Sequence, residues 1–190
     1  MYLSICTDVL GSLPYEQMLD KVKSMGIDYV EMTVGGWSPA PHLRVEQLLS
    51  DEKKLNNFKK ALEDRGMGIA ALNCSGNPLD PGPMGEAHRK AVDQTLDLAE
   101  VLGVTTIVSM SGLPAANAID TVPNWITDTV SWPATLQEVV KYQWEEVAIP
   151  YWQEVVAQAT KCGVQHIALE NFPSMLVYNP ETLLKLRNAV

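Results

Sequence analysis

Positive charge is scarce in this chain: 14 Lys and Arg stand against 23 Asp and Glu, a net charge of −9. A nucleic-acid binder needs a cationic footprint, and these scattered cations do not supply one, so no nucleic-acid partner is expected. Cysteine is also scarce. The three thiols, Cys6, Cys74 and Cys162, are odd in number and far apart. That suits reduced side chains in a cytoplasm better than a disulfide framework. None belongs to a C-x-x-C pair, which removes the usual signature of a structural zinc site. No stretch approaches the ~20 apolar residues of a membrane span, so no membrane partner is expected. The start, MYLSICTDVL, has neither the basic region nor the apolar run of a secretory signal. No G-x-G-x-x-G or Walker pattern follows the first apolar segment, which leaves a nucleotide-binding open sheet without support.

What is present is a repeated grammar of helix, glycine and short β-branched run. KSMGIDYVEMTV, EDRGMGIAALN, EVLGVTTIVSM and TKCGVQHIALEN each carry it, at Gly26, Gly66, Gly103 and Gly163. Glycine just past a helix adopts the left-handed conformation at little cost. A strand starting within about two residues is the short loop of a parallel α/β unit. The pattern predicts strands near residues 2–7, 28–34, 68–73, 104–109 and 165–170. Tyr15, Met18, Leu19, Val22 and Met25 have helical spacing after Pro14. Further helices are expected over about 51–65, 86–102 and 135–161, the last broken near Pro150. Asn179-Pro180 opens another. Alternation of this kind implies a parallel sheet. The two longest strand-to-helix loops, 74–85 and 110–134, follow strand C-terminal ends, where parallel α/β folds bind ligands.

Strand polarity favours a barrel over an open sheet. Tyr29, Glu31 and Thr33 alternate with Val30, Met32 and Val34, and His166, Ala168 and Glu170 with Ile167, Leu169 and Asn171. A parallel sheet covered on both faces reads as continuous apolar runs, whereas a barrel's top layers hold polar groups. Glu31 and Glu170 would both face the interior. The expected fold is α/β, a parallel (β/α) barrel with about five of eight units, and residues 1–190 are expected to form one domain, its N-terminal part.

GIDYVEMTVGGWSPAPHL, LNCSGNPLDPG, LGVTTIVSMSGLP and IALENFPSMLVYNPETLLKLRNAV resemble the sugar phosphate isomerase/epimerase branch of the xylose-isomerase-like TIM barrels. The resemblance spans essentially the whole chain. It implies a divalent metal, Mn²⁺ or Mg²⁺, at the C-terminal face of the barrel. The first ligand would be the glutamate ending strand five, which is Glu170 here, and the remaining ligands would lie beyond residue 190. Hard cations of this kind prefer carboxylate oxygens. The implied activity is a sugar or sugar phosphate isomerase or epimerase, in which a metal-polarised carbonyl favours loss of the neighbouring proton. A lyase of the inosose dehydratase or C-glycoside-cleaving kind, and an inactive fragment lacking the complete metal site, remain alternatives.

Two departures narrow the activity. The endonuclease branch of the superfamily places metal-binding histidines after strands three and four, where this chain has Asn73-Cys74-Ser75 and Ser109-Met110-Ser111. The ketose 3-epimerase branch has a second glutamate six residues after the first, where Leu176 stands. The catalytic base is thus unassigned. Trp37 is a candidate for stacking on a sugar ring, His42 for a hydroxyl contact or base, and Asn73 and Ser111 for hydroxyl binding. Each has an ordinary alternative as a rim, surface-loop or loop-capping residue. Glu31 reads first as a buried hydrogen-bonding residue. His88 and His166 read as bystanders, and Trp125, Trp132, Trp144 and Trp152 as packing groups. If copies of the chain associate, the 110–134 loop is the expected contact.

Overall fold

The computed structural model describes residues 2–126 and 134–190. Five parallel strands form one sheet in the order β1-β2-β3-β4-β5. They are Ser4–Cys6, Tyr29–Thr33, Gly68–Asn73, Thr106–Met110 and His166–Glu170. All five fall within a residue or two of the sequence expectation. The helices are α1 Tyr15–Ser24, α2 Val45–Ser50, α3 Glu52–Glu63, α4 Pro83–Leu102, α5 Ala134–Lys141, α6 Ile149–Lys161 and α7 Pro180–Ala189, with a π-helical segment Tyr142–Ala148 joining α5 to α6.

The strand order decides the architecture. A doubly wound open sheet reverses direction at a switch point, so that helices cover both faces. Here the order never reverses, and right-handed crossovers therefore stack every helix on one side. The other side must curl upon itself, as in a TIM barrel. The core lies between strands and helices: Met18, Leu19 and Val22 of α1, Val30 and Met32 of β2, Leu72 of β3, Leu96 and Leu98 of α4 and Ile107 of β4 are wholly buried. Beside β5, an apolar groove of about 510 Å³ is lined by Trp152, Val156, Ile167, Leu169, Leu183 and Leu186.

Three local findings refine the sequence reading. Met25 follows the helical period but caps α1 and is 50% exposed, because the helix has already ended. The short α2, ahead of the expected helix, was not foreseen. The expected break near Pro150 is absent. The chain stays helical from α5 to α6, and the wider π turns precede the proline, which has no N–H to give to the helix. Asn179 opens α7 as expected. Its side chain accepts the Thr182 N–H at 2.8 Å, and the Thr182 hydroxyl oxygen accepts the Asn179 N–H at 3.2 Å.

All four of the motif glycines have positive φ. Gly103, at φ +69°, ends α4, and the Val104 N–H returns to the Ala99 carbonyl at 2.9 Å. A Cβ there would meet nothing within 4 Å, so the requirement is the backbone angle and not space. Gly103→Ala is expected to lower unfolding free energy by about 1–2 kcal/mol, read by urea denaturation. An unchanged midpoint would contradict this account of the helix stop.

Candidate active site

In-register residues of parallel strands share a face. The pairs Cys6–Glu31, Glu31–Ala71, Thr33–Asn73, Asn73–Val108 and Met110–Glu170 therefore set Cys6, Glu31, Thr33, Asn73 and Glu170 on the side opposite the helices. Asn73 is there because of an irregularity. Val30 pairs with Ile69, but Glu31 pairs with Ala71, so Ala70 is an extra residue in β3. Without that bulge Leu72 would stand opposite Thr33 and Asn73 would turn toward the helices. One extra residue reverses the facing of everything after it.

At the strand ends these residues form a hydrogen-bonded line. Asn73 Nδ2 donates to Glu31 Oε1 at 2.7 Å, and Asn73 Oδ1 accepts the Ser75 N–H at 2.8 Å. The Ser75 hydroxyl donates to Glu170 Oε1. Asn73 and Ser75 thus bridge two carboxylates from β2 and β5. Asp8, just past β1, accepts from Thr33 Oγ1 at 2.6 Å and Ser38 Oγ at 2.9 Å. The Trp37 N–H donates to the Ser75 carbonyl at 2.9 Å. That approach needs Gly36: its φ is +78°, and a Cβ would lie 2.2 Å from the Ser75 oxygen.

Burial pushes the Cys6 thiol up, and the carboxylates of Glu31, Asp8 and Glu170 add to this, against a lowering hydrogen bond from the Asp8 backbone. Cys74 is buried and pushed up to about 11, chiefly by burial.

The residues singled out in the sequence separate into groups. Asn73 and Glu170 belong to the same hydrogen-bonded line. Trp37 stands at its rim, 48% exposed, with its ring 6.4 Å from that of Phe172, itself 43% exposed in the loop after β5. His42 lies apart from this line. It is buried, with Nε2 3.2 Å from the Leu10 carbonyl, beside a cleft of about 440 Å³ between α1 and α3 that shares no lining residue with the carboxylate line. Ser111 is fully buried, and its Oγ accepts the Val177 N–H at 2.8 Å, joining the loops that follow β4 and β5. Glu31 is indeed a hydrogen-bonding residue, but within the line itself. His166 is exposed at the start of β5. Trp144 and Trp152 are buried packing groups, Trp125 is 42% exposed, and Trp132 falls outside the described residues, as does 127–133 of the proposed contact loop. Asp8, Ser38, Ser75 and Phe172 were missed, although each follows a strand C-terminal end.

Residues 19–190 match the family described as xylose isomerase-like TIM barrel, and the chain belongs to that family. It is 59% identical over 190 residues to the uncharacterized protein YfiH of Bacillus subtilis (strain 168), covering all of this chain and 61% of that protein. It thus spans about three-fifths of this relative's length. Among solved structures it resembles the probable 3-DHS dehydratase AsbF of Bacillus anthracis, with a TM-score of 0.65 and 14% identity over 100% of this chain and 59% of the other. A xylose isomerase-like TIM barrel protein from Mycobacterium smegmatis in complex with magnesium gives 0.64 and 18%, over 98% and 60%. The D-psicose 3-epimerase of Clostridium cellulolyticum H10, solved with D-tagatose, gives 0.62 and 18%, over 100% and 60%. At such identities the likeness is one of fold. Among the described residues no helix is long and apolar enough to cross a membrane.

Proposed function

We propose that this chain forms the first five βα units of a single barrel domain, that of a divalent-metal-dependent sugar isomerase or epimerase, with Glu170 as the first metal ligand. The observation that carries the reading is the position of Glu170: it ends β5, in register with Met110, in a chain of this family. Its carboxylate suits Mn²⁺ or Mg²⁺, hard cations that take oxygen donors. Ser75 fixes one oxygen and so orients the other. Among the described residues no group of three or more His, Cys, Asp and Glu is placed to hold a metal, so Glu170 fits as one ligand of a set and not as a complete site. When bound, the metal would supply positive charge beside a substrate carbonyl and so ease loss of the adjacent proton.

The chain's own residues would handle the substrate body. Trp37 stacks on the apolar face of the sugar, and Asn73 and Ser75 meet hydroxyls while holding both carboxylates apart. His42 and Ser111 serve the site indirectly, by holding loops. Residues 7–14, 34–43, 74–82, 111–133 and 171–179, which follow the five strands, contain neither Lys nor Arg. These segments themselves thus offer hydroxyls and ring faces, while the Arg44 and Arg89 guanidiniums that reach them donate to the carbonyls of Ala40, Leu43 and Pro78. The unpaired thiols Cys6, Cys74 and Cys162 fit a reducing cytoplasm.

The test compares residues 1–190 with a form whose reading frame continues past Val190. Calorimetry with Mn²⁺ is expected to show tight one-site binding only in the longer form, and that form is expected to exchange solvent deuterium into ketoses beside the carbonyl. Sub-micromolar Mn²⁺ binding by residues 1–190 alone would place the ligands elsewhere. Metal binding without exchange would sink the isomerase reading. Exchange accompanied by loss of water or of an aglycone would assign a lyase, for which the fold of the probable dehydratase is a precedent. A stop codon directly after Val190 would favour the alternative of an inactive fragment over the isomerase reading.

A further inference from the structure

The buried face of α4 carries a histidine that the proposed chemistry does not use. His88 is 6% exposed. Its Nδ1 accepts the Asn77 N–H at 2.8 Å. A backbone N–H can only donate, so Nδ1 carries no proton and the ring hydrogen sits on Nε2. The chain at Gly76 lies flat against the same ring: a Cβ there would be 2.8 Å from Nδ1 and 2.9 Å from Cγ. Trp37 meets the imidazole at 5.9 Å between centroids, with the rings at 88°. An edge-to-face contact of this kind fixes orientation as well as distance.

Asn77 extends the arrangement to a third loop. Its Nδ2 donates to the Leu113 carbonyl at 3.0 Å, and its Oδ1 accepts the Leu113 N–H at 2.7 Å and the Leu79 N–H at 3.2 Å. These bonds are buried, where loss of one partner strands the other. The loops after β2 and β3 thus meet His88 directly, the first through Trp37 and the second through Gly76 and the Asn77 N–H, and the loop after β4 joins them through the Asn77–Leu113 pair. The second of these also carries Ser75, the partner of Glu170.

We propose that His88 is a positioning residue, holding the Trp37 ring at the rim of the site and tying the three loops into one arrangement. A leucine could fill the space but could neither accept from Asn77 nor present an aromatic face to Trp37. The inference holds for any ligand of the site, so its failure would leave the sugar reading standing, and the reverse is also true.

Two substitutions in the full chain test it. His88→Leu removes the acceptor, and His88→Asn puts an amide oxygen near the place of Nδ1. The readouts are the NMR signal of the Trp37 indole, identified by its absence in Trp37→Phe, and hydrogen exchange at Asn77 and Leu113. In the Leu variant the Trp37 signal should lose its ring-current shift, and exchange at both amides should quicken roughly tenfold, the scale of one buried hydrogen bond. The Asn variant should restore slow exchange at Asn77 and Leu113. If the Leu variant does not fold, His88→Gln, whose amide reaches past the Nδ1 position, takes its place in the comparison. A lowered melting temperature with Trp37 and Leu113 unmoved would show an ordinary core residue and overturn the proposal. Equally fast exchange at Asn77 and Leu113 in the Asn variant and its Leu or Gln counterpart would overturn it as well.

Discussion

Glu170→Gln, made in a form whose reading frame continues past Val190, is expected to lower Mn²⁺ affinity by at least about 100-fold, the upper range seen when mere supporting groups of a metal site are lost. The amide keeps the size of the carboxylate and an oxygen that can accept from the Ser75 hydroxyl, but it has no charge to give a hard cation. The fold should be retained, because the side chain sits at the end of a partly exposed strand and not in the core. Calorimetry reads the affinity and a thermal melt reads the fold. Unchanged affinity with an intact melt would remove Glu170 from the ligand set.

The largest effect on stability is expected at Trp152. It is 2% exposed on α6, and its Nε1–H donates to the Ser111 carbonyl at 2.9 Å, fastening the helix to the strand-four loop. Trp152→Ala should cost about 3–5 kcal/mol through the cavity it leaves. Trp152→Phe retains much of the volume and isolates the stranded carbonyl, at about 1–3 kcal/mol. Urea denaturation of both variants separates the two contributions. A cost below about 1 kcal/mol for the alanine variant would mean that the site collapses freely around the gap.

The fold was legible because its signals are local. Each glycine that ends a helix announces itself beside a β-branched run, and the alternation around Glu31 and around Glu170 distinguished an interior from a helix-covered face. What escaped depends on partners far away in sequence. The bulge at Ala70 exists only in the pairing with β2, and no property of GIAALN reveals it. The π segment brings in Gln143, whose amide donates to the carbonyls of Pro114, Ala115 and Asn124, residues that periodicity along the helix cannot anticipate. His88 is a different case. It stands three, seven and eleven residues before Ala91, Thr95 and Ala99, all buried, so its place on the inner face of α4 was readable. Its partnership with Asn77 was not. The same holds for Ser75: a serine after a strand is unremarkable until the β5 carboxylate is found beside it.

The unreversed strand order also bears on how the molecule is made. Each of the four pairings joins a strand to the one synthesised just before it. A nascent chain leaving the ribosome can therefore lay down β2 on β1, then β3 on β2, with each helix closing over the pair, and each strand from β2 to β5 finds its first partner already translated. Loop closure then costs only the entropy of one unit at a time, and domains of this size commonly begin to fold from the N-terminus during synthesis. The growing sheet keeps two edges, that of β1 and that of the most recently added strand, and each new unit covers the second of them.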